Sequence, residues 1–202
     1  MLKGCSKVDT EVRRKQITQA AFKIIASHGV KGLTTSAIAK DVGISAANLY
    51  RHFAHKDEIL NSVVDKIGED LHQNLKTVQC TASRSPLVNI RRLFALHLDY
   101  IEKNEGIPRL IFSEEIHVDN VQLKEKLLAA INSYIQGIVV LIREGQEKGT
   151  IKRNMDPHIA ALTMIGMIQI TVMKWSLNSF SFSLVDEGMK FWKNFERCIT
   201  AR

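Results

Sequence analysis

Cysteine is scarce in this chain: among 202 residues it occurs at Cys5, Cys80 and Cys198. Three widely spaced thiols supply neither a disulfide framework nor a CxxC metal pair, and they read as ordinary reduced cysteines. Long apolar runs are missing too. No stretch reaches the roughly 18 uncharged residues that a membrane span requires; the nearest approach, Ile159 to Met173, ends at Lys174 and reads as a buried helix. The polar segment Met1 to Gln16 does not resemble a signal peptide, so a cytoplasmic protein is expected. Nor does any nucleophile stand at catalytic spacing from a base, which argues against an enzyme, and no cofactor or metal is expected.

What is present is a core and a charge bias. Hydrophobic residues make up 45% of the chain, enough for one sizeable domain or two small ones. Residues 1–60 carry ten Lys and Arg against five Asp and Glu, whereas residues 61–202 carry eighteen against sixteen. The excess therefore sits in the first third. Such a segment attracts polyanions, although charge alone does not distinguish DNA from RNA or from an anionic surface.

The periodicity is helical throughout, which predicts an all-α fold of about nine helices. Ile17, Ala20, Ala21, Ile24 and Ile25 form one face of a first helix over Thr10 to His28. Thr34 or Thr35 caps a second, with Ile38, Ala39 and Val42 inward and Gly43 as its left-handed terminator. Ser45 caps a third from Ala46 to about His52, with Leu49 and Phe53 turned to the core. Two short helices around Gly43-Ile44-Ser45 make a helix-turn-helix, whose second helix enters a major groove. Asn48, Tyr50, Arg51, His52 and Lys56 then lie near one another. Tyr50 and His52 can donate to phosphates, Lys56 adds charge at a helix start, Asn48 can reach a base edge, and the Ala46 and Ala47 methyls suit thymine. No carboxylate pairs with His52 locally, so a catalytic reading of the cluster is weaker; Asp57 and Glu58 read as first-turn dipole partners of a fourth helix.

The stretch LTTSAIAKDVGISAANLYRHFAHKDEIL, Leu33 to Leu60, resembles the N-terminal region of TetR-family transcriptional regulators. The resemblance spans about Thr10 to Leu60 and implies that Thr34, Thr35, Ser45, Tyr50, His52 and Lys56 contact phosphates, while Ala46, Ala47 and Asn48 read bases. His55 departs from it, standing where a small polar residue usually precedes the lysine, so the fourth helix is expected to be capped differently. Two alanines leave little polar readout, which shifts specificity toward Asn48, methyl contacts and DNA shape. The implied architecture is a DNA-binding domain over residues 1–55 and a helical effector-binding and dimerisation domain over residues 56–202.

Beyond residue 60 the pattern predicts helices over Lys56 to Thr77, Pro86 to Lys103, Asn120 to Lys148, Pro157 onward and Leu184 to Thr200, with Gly106-Ile107-Pro108 as a loop before a short sixth helix. Phe94, Leu98, Ile101, Leu110, Phe112, Tyr134, Ile138, Met164, Ile168 and Trp175 are candidate walls of an effector pocket, with His97 and His117 as polar contacts; each also suits plain core. A mainly apolar or aromatic effector follows from that composition. Glu114, Glu115 and His117 invite a metal reading, but adjacent carboxylates face different sides of a helix, and a solvated acidic turn fits better. The eighth helix is apolar nearly all round, and the ninth repeats Val185, Met189, Trp192, Phe195 and Ile199. With Ile165 and Val172 these are the candidate dimer contacts, since a second copy is the simplest cover for two such helices. The expected whole is a homodimeric repressor on a palindromic operator, released by a small effector.

Overall fold

The computed structural model describes residues 10–80, 85–116 and 120–201. Among the described residues there are nine helices and no strand: α1 Thr10–His28, α2 Thr35–Val42, α3 Ala46–Tyr50, α4 Lys56–Gln79, α5 Pro86–Glu102, α6 Gly106–Ile111, α7 Val121–Glu147, α8 Pro157–Leu177 and α9 Leu184–Ile199. Cys5 and His117 lie outside the described residues.

Side-chain caps set the starts. Thr34 Oγ1 accepts from the Ala37 N–H at 3.1 Å, Ser45 Oγ from Asn48 at 3.2 Å, and Asn120 Oδ1 from Leu123 at 2.9 Å. Asp156 Oδ1 takes both the His158 and Ile159 N–H groups, with Pro157 in the first helical position, where no donor is needed. Gly43 ends α2 at φ 71°, a conformation an L side chain resists, and turns the chain into α3. That third helix is shorter than its periodicity suggests, because Arg51 and His52 close it with turn bonds to Asn48 O and Leu49 O.

The expected loop at Gly106-Ile107-Pro108 is instead the first turn of α6. Pro108 fits there because the first turn of a helix lacks intrahelical acceptors for its N–H groups. Gly106 is buried against α1, where a Cβ would lie 2.8 Å from the Phe22 carbonyl oxygen and 3.3 Å from the Ala26 nitrogen. The two helices touch backbone to backbone.

One continuous core runs from Ile17 and Ile25 in α1, through Leu49 and Phe53, to Trp192 in α9. The long α4 packs on α1, α5 and α7; α7 packs on α4, α5 and α8; and α9 closes on α5 and α8. By length and composition α7 and α8 are apolar enough to cross a membrane although charged residues interrupt both, but α7 fits between three other helices. A bridge between Ile151 and Thr200, with Lys152 N–H bonded to Ile199 O at 2.9 Å, clips the end of α9 to the α7–α8 turn.

Candidate nucleic-acid interface and effector cavity

Leu49 and Phe53 are buried and fix α3 on the core, so the rest of that helix faces outward. Thr34, Ser45, Ala46, Ala47, Tyr50 and Arg51 are exposed, and Thr35, Asn48, His52 and Lys56 are half-buried around them. Tyr50 is 52% exposed, unusual for an aromatic residue beside a core, and its hydroxyl stands free for an acceptor. Thr34 and Ser45 use their lone pairs as caps and keep an O–H each to donate. Burial, with Arg13, Arg51 and Arg14 nearby, holds the His52 imidazole below its ordinary range. Lys56 is less available than expected, since one N–H of its ammonium bonds the Val30 carbonyl at 3.1 Å and ties α4 to the α1–α2 turn.

Arg14 was not singled out in the sequence, where it is one of three adjacent basic residues. Its guanidinium lies 3.9 Å over the Phe53 ring, donates to the His52 carbonyl, and meets Glu58 Oε1 from both terminal nitrogens at 3.1 and 3.2 Å. Glu58 in turn accepts from the Ala54 N–H at 2.8 Å. That backbone bond, then Arg14, holds its carboxyl below the usual range. Glu58 is thus more than a dipole partner, because it joins α1 to the α3–α4 turn. His55 does cap α4 in its own way: its Nδ1 accepts from the Glu58 N–H at 3.3 Å.

The second feature is a cavity between α4, α5, α6, α7 and α8. Val64, Ile67 and Leu71 of α4 form one wall, Ile107 and Ile111 of α6 another, and Leu127, Ile131 and Tyr134 of α7 a third. His97 and Ile101 enter from α5, and Ile165, Gln169 and Val172 from α8. About 50 Å³ is free to the centres of water-sized molecules, room for a small group rather than a large ligand. His97 and Tyr134 meet edge to face, with ring centroids 5.3 Å apart. Burial pulls the His97 imidazole down to about 4 and pushes the Tyr134 hydroxyl up.

Among the expected pocket residues, His97, Ile101, Phe112 and Tyr134 line this space, with Phe112 half-exposed at its edge. Phe94 instead packs on Trp192 at 5.3 Å, and Leu98 fits against Gly188, so both serve the α5–α9 contact. Leu110, Ile138, Met164 and Ile168 are buried in the core. Trp175 donates its indole N–H to Phe182 O at 2.9 Å and meets Phe180 edge to face, which closes the α8–α9 turn. Among the described residues no group of three potential metal ligands gathers.

A description of bacterial regulatory proteins of the tetR family matches residues 17–63, and one of the C-terminal region of YsiA-like proteins matches residues 56–194. This chain belongs to the TetR family. Its members are DNA-binding transcription regulators rather than enzymes. The fatty acid metabolism regulator protein of Bacillus subtilis is 26% identical over 174 residues, covering 84% of this chain and 87% of that one. The nucleoid occlusion factor SlmA of Vibrio cholerae is 24% identical over 181 residues, covering 89% and 92%. Among solved structures, FadR from Bacillus subtilis in complex with stearoyl-CoA superposes with a TM-score of 0.75 at 22% identity, over 90% of this chain and 96% of that one. A transcriptional regulator from Saccharomonospora viridis in complex with choline gives 0.81 at 21%, over 95% and 100%.

In this TetR-family chain the expected dimer contacts are mostly used within the protomer. Trp192, Phe195 and Ile199 are buried, Trp192 against Phe94 and Phe195. Ile165 and Val172 face the cavity, and Val185 and Met189 are half-buried on the core. The narrow apolar face of α9 is consumed by α5 and α8. The uncovered apolar stripe is on α8 instead, where Ile159, Leu162, Ile170, Met173 and Leu177 are exposed at helical spacing, with Gly166 open between them.

Proposed function

We propose that this chain is a repressor that binds a palindromic operator as a homodimer and leaves it when a small, mainly apolar effector enters the cavity. The observation that carries this reading is the position of α4. Val64, Ile67 and Leu71 wall the cavity, while on the same helix Glu58 holds the turn after α3 and Lys56 holds the turn before α2. A ligand larger than the free space must part the walls, and α4 transmits the displacement to the recognition helices. Differential affinity of a few kcal/mol for the spread form weakens operator binding more than tenfold. Pairing through the α8 stripe sets two α3 helices on successive turns of the duplex. Asn48 reads a base edge, Tyr50, His52 and Arg51 hold phosphates, and Ala46 and Ala47 contact methyls. Work on DNA places the protein in the cytoplasm.

Selection of bound duplexes from a random pool, with wild type and Asn48→Ala/Tyr50→Ala at two salt concentrations, tests this. A palindromic consensus, steep salt dependence and loss of binding in the variant are expected. No consensus, or a variant that selects like wild type, would remove α3 as the reader.

A further inference from the structure

We infer that the cavity selects an uncharged effector, whose single hydroxyl, ketone, ester or amide group is received by His97 and Tyr134 while its apolar remainder lies along the aliphatic walls; this rests on the cavity being the effector site. His97 Nδ1 and the Tyr134 hydroxyl are buried and have no hydrogen-bond partner among the described residues. The two residues are only 5% and 2% exposed, and their rings are in contact. Buried polar atoms are nearly always paired, because an unpaired one forfeits its hydration without return. Two such groups side by side in a cavity wall form a receiving site for one polar ligand group, with Tyr100 and Gln169 the other polar side chains of the wall.

The same wall rejects ions. Among the described residues no Lys or Arg side chain lines the cavity, and neither does any carboxylate. Burial keeps the imidazole neutral at physiological pH, so it offers a carboxylate or phosphate no counter-charge. An ion buried without a partner loses far more hydration than a dipole does. Tyrosine and neutral histidine each donate one hydrogen bond and accept another, so hydroxyl and carbonyl heads both satisfy the pair.

The test is calorimetric titration of the full-length protein at pH 7.5 with 1-octanol, 2-octanone, octanoate and octylammonium, repeated on Tyr134→Phe. The alcohol and ketone should bind, and both ions should bind about a hundredfold or more weakly, from the cost of burying an unpaired charge. Tyr134→Phe keeps the shape and should weaken 1-octanol about three- to tenfold, the worth of one hydrogen bond. Octanoate or octylammonium binding within threefold of 1-octanol would overturn the selectivity while leaving the cavity as the effector site. An unchanged 1-octanol affinity in Tyr134→Phe would overturn the assignment of the receiving pair. Failure of all four probes, with operator binding intact, would overturn the cavity reading itself and this inference with it.

Discussion

Gly106→Ala tests the backbone contact between α1 and α6. The added methyl would stand 2.8 Å from the Phe22 carbonyl oxygen, 3.3 Å from the Ala26 nitrogen and 3.6 Å from the Ala26 Cβ. Two of those three atoms are backbone in the middle of α1, so no rotamer change relieves the clash; α6 must move off α1. Overpacking of this kind costs about 1–3 kcal/mol. For a chain of this length the melting temperature should fall by roughly 2–12 °C. Gly68→Ala is the matched control, since its methyl would meet only the Ala130 Cβ at an ordinary 3.6 Å. That helix-interior change should be neutral or gain up to ~1 kcal/mol. Scanning calorimetry of the two variants beside wild type decides the matter. If Gly106→Ala melts within about 1 °C of wild type, the backbone contact between α1 and α6 is not present in solution.

His97 should make stability pH-dependent. Its imidazole takes a proton near 6.5 when unfolded but only near 4 when folded, so between those values the unfolded chain binds more protons. Stability is then full above 6.5 and declines toward 4 by up to about 3 kcal/mol, and His97→Phe should flatten that slope in denaturant titrations at several pH values. His55→Asp replaces a weak imidazole cap with a preferred one and should raise stability by about 0.5–1 kcal/mol in the same titrations; a loss would mean that the imidazole does more than cap. Arg14→Ala removes the Phe53 stack and the bonds to His52 and Glu58, at about 1–2 kcal/mol, with faster amide exchange at Ala54; unchanged exchange there would count against the Arg14–Glu58 link. Ile170→Glu puts a charge in the exposed α8 stripe and should leave a folded monomer with little operator affinity, as read by sedimentation; a persistent dimer would move the interface elsewhere.

Helix ends were legible in the sequence because single residues determine them. Thr34 and Ser45 announce starts by side-chain chemistry, Pro157 announces one by its missing donor, and Gly43 announces a stop by its backbone freedom. The recognition helix was legible for a similar reason, as only Leu49 and Phe53 face inward. The cavity was not. Ile67 and Leu71 have the periodicity of core residues, and whether an inward face meets another side chain or a gap depends on how far α4 stands from α7 and α8. That separation is set by many helices at once. Gly106 was read as a loop former because its other use, close backbone contact, requires knowing that α1 lies beside it. Arg14 escaped because its partners are 38 and 44 positions away in sequence.

In the proposed mechanism α4 is shared between the cavity wall and the DNA-reading turn, and that sharing limits how such a regulator can be retuned. By that mechanism a change at Val64 or Ile67 would alter the fit of a ligand and the resting spacing of the readers together, so improved recognition there risks a regulator that is always bound or never bound. The α7 wall carries no such double duty: Ile131 and Tyr134 lie away from the α3–α4 turn and from the exposed α8 stripe. New ligand preferences, whether reached by drift or built into a biosensor, should accumulate on that side first.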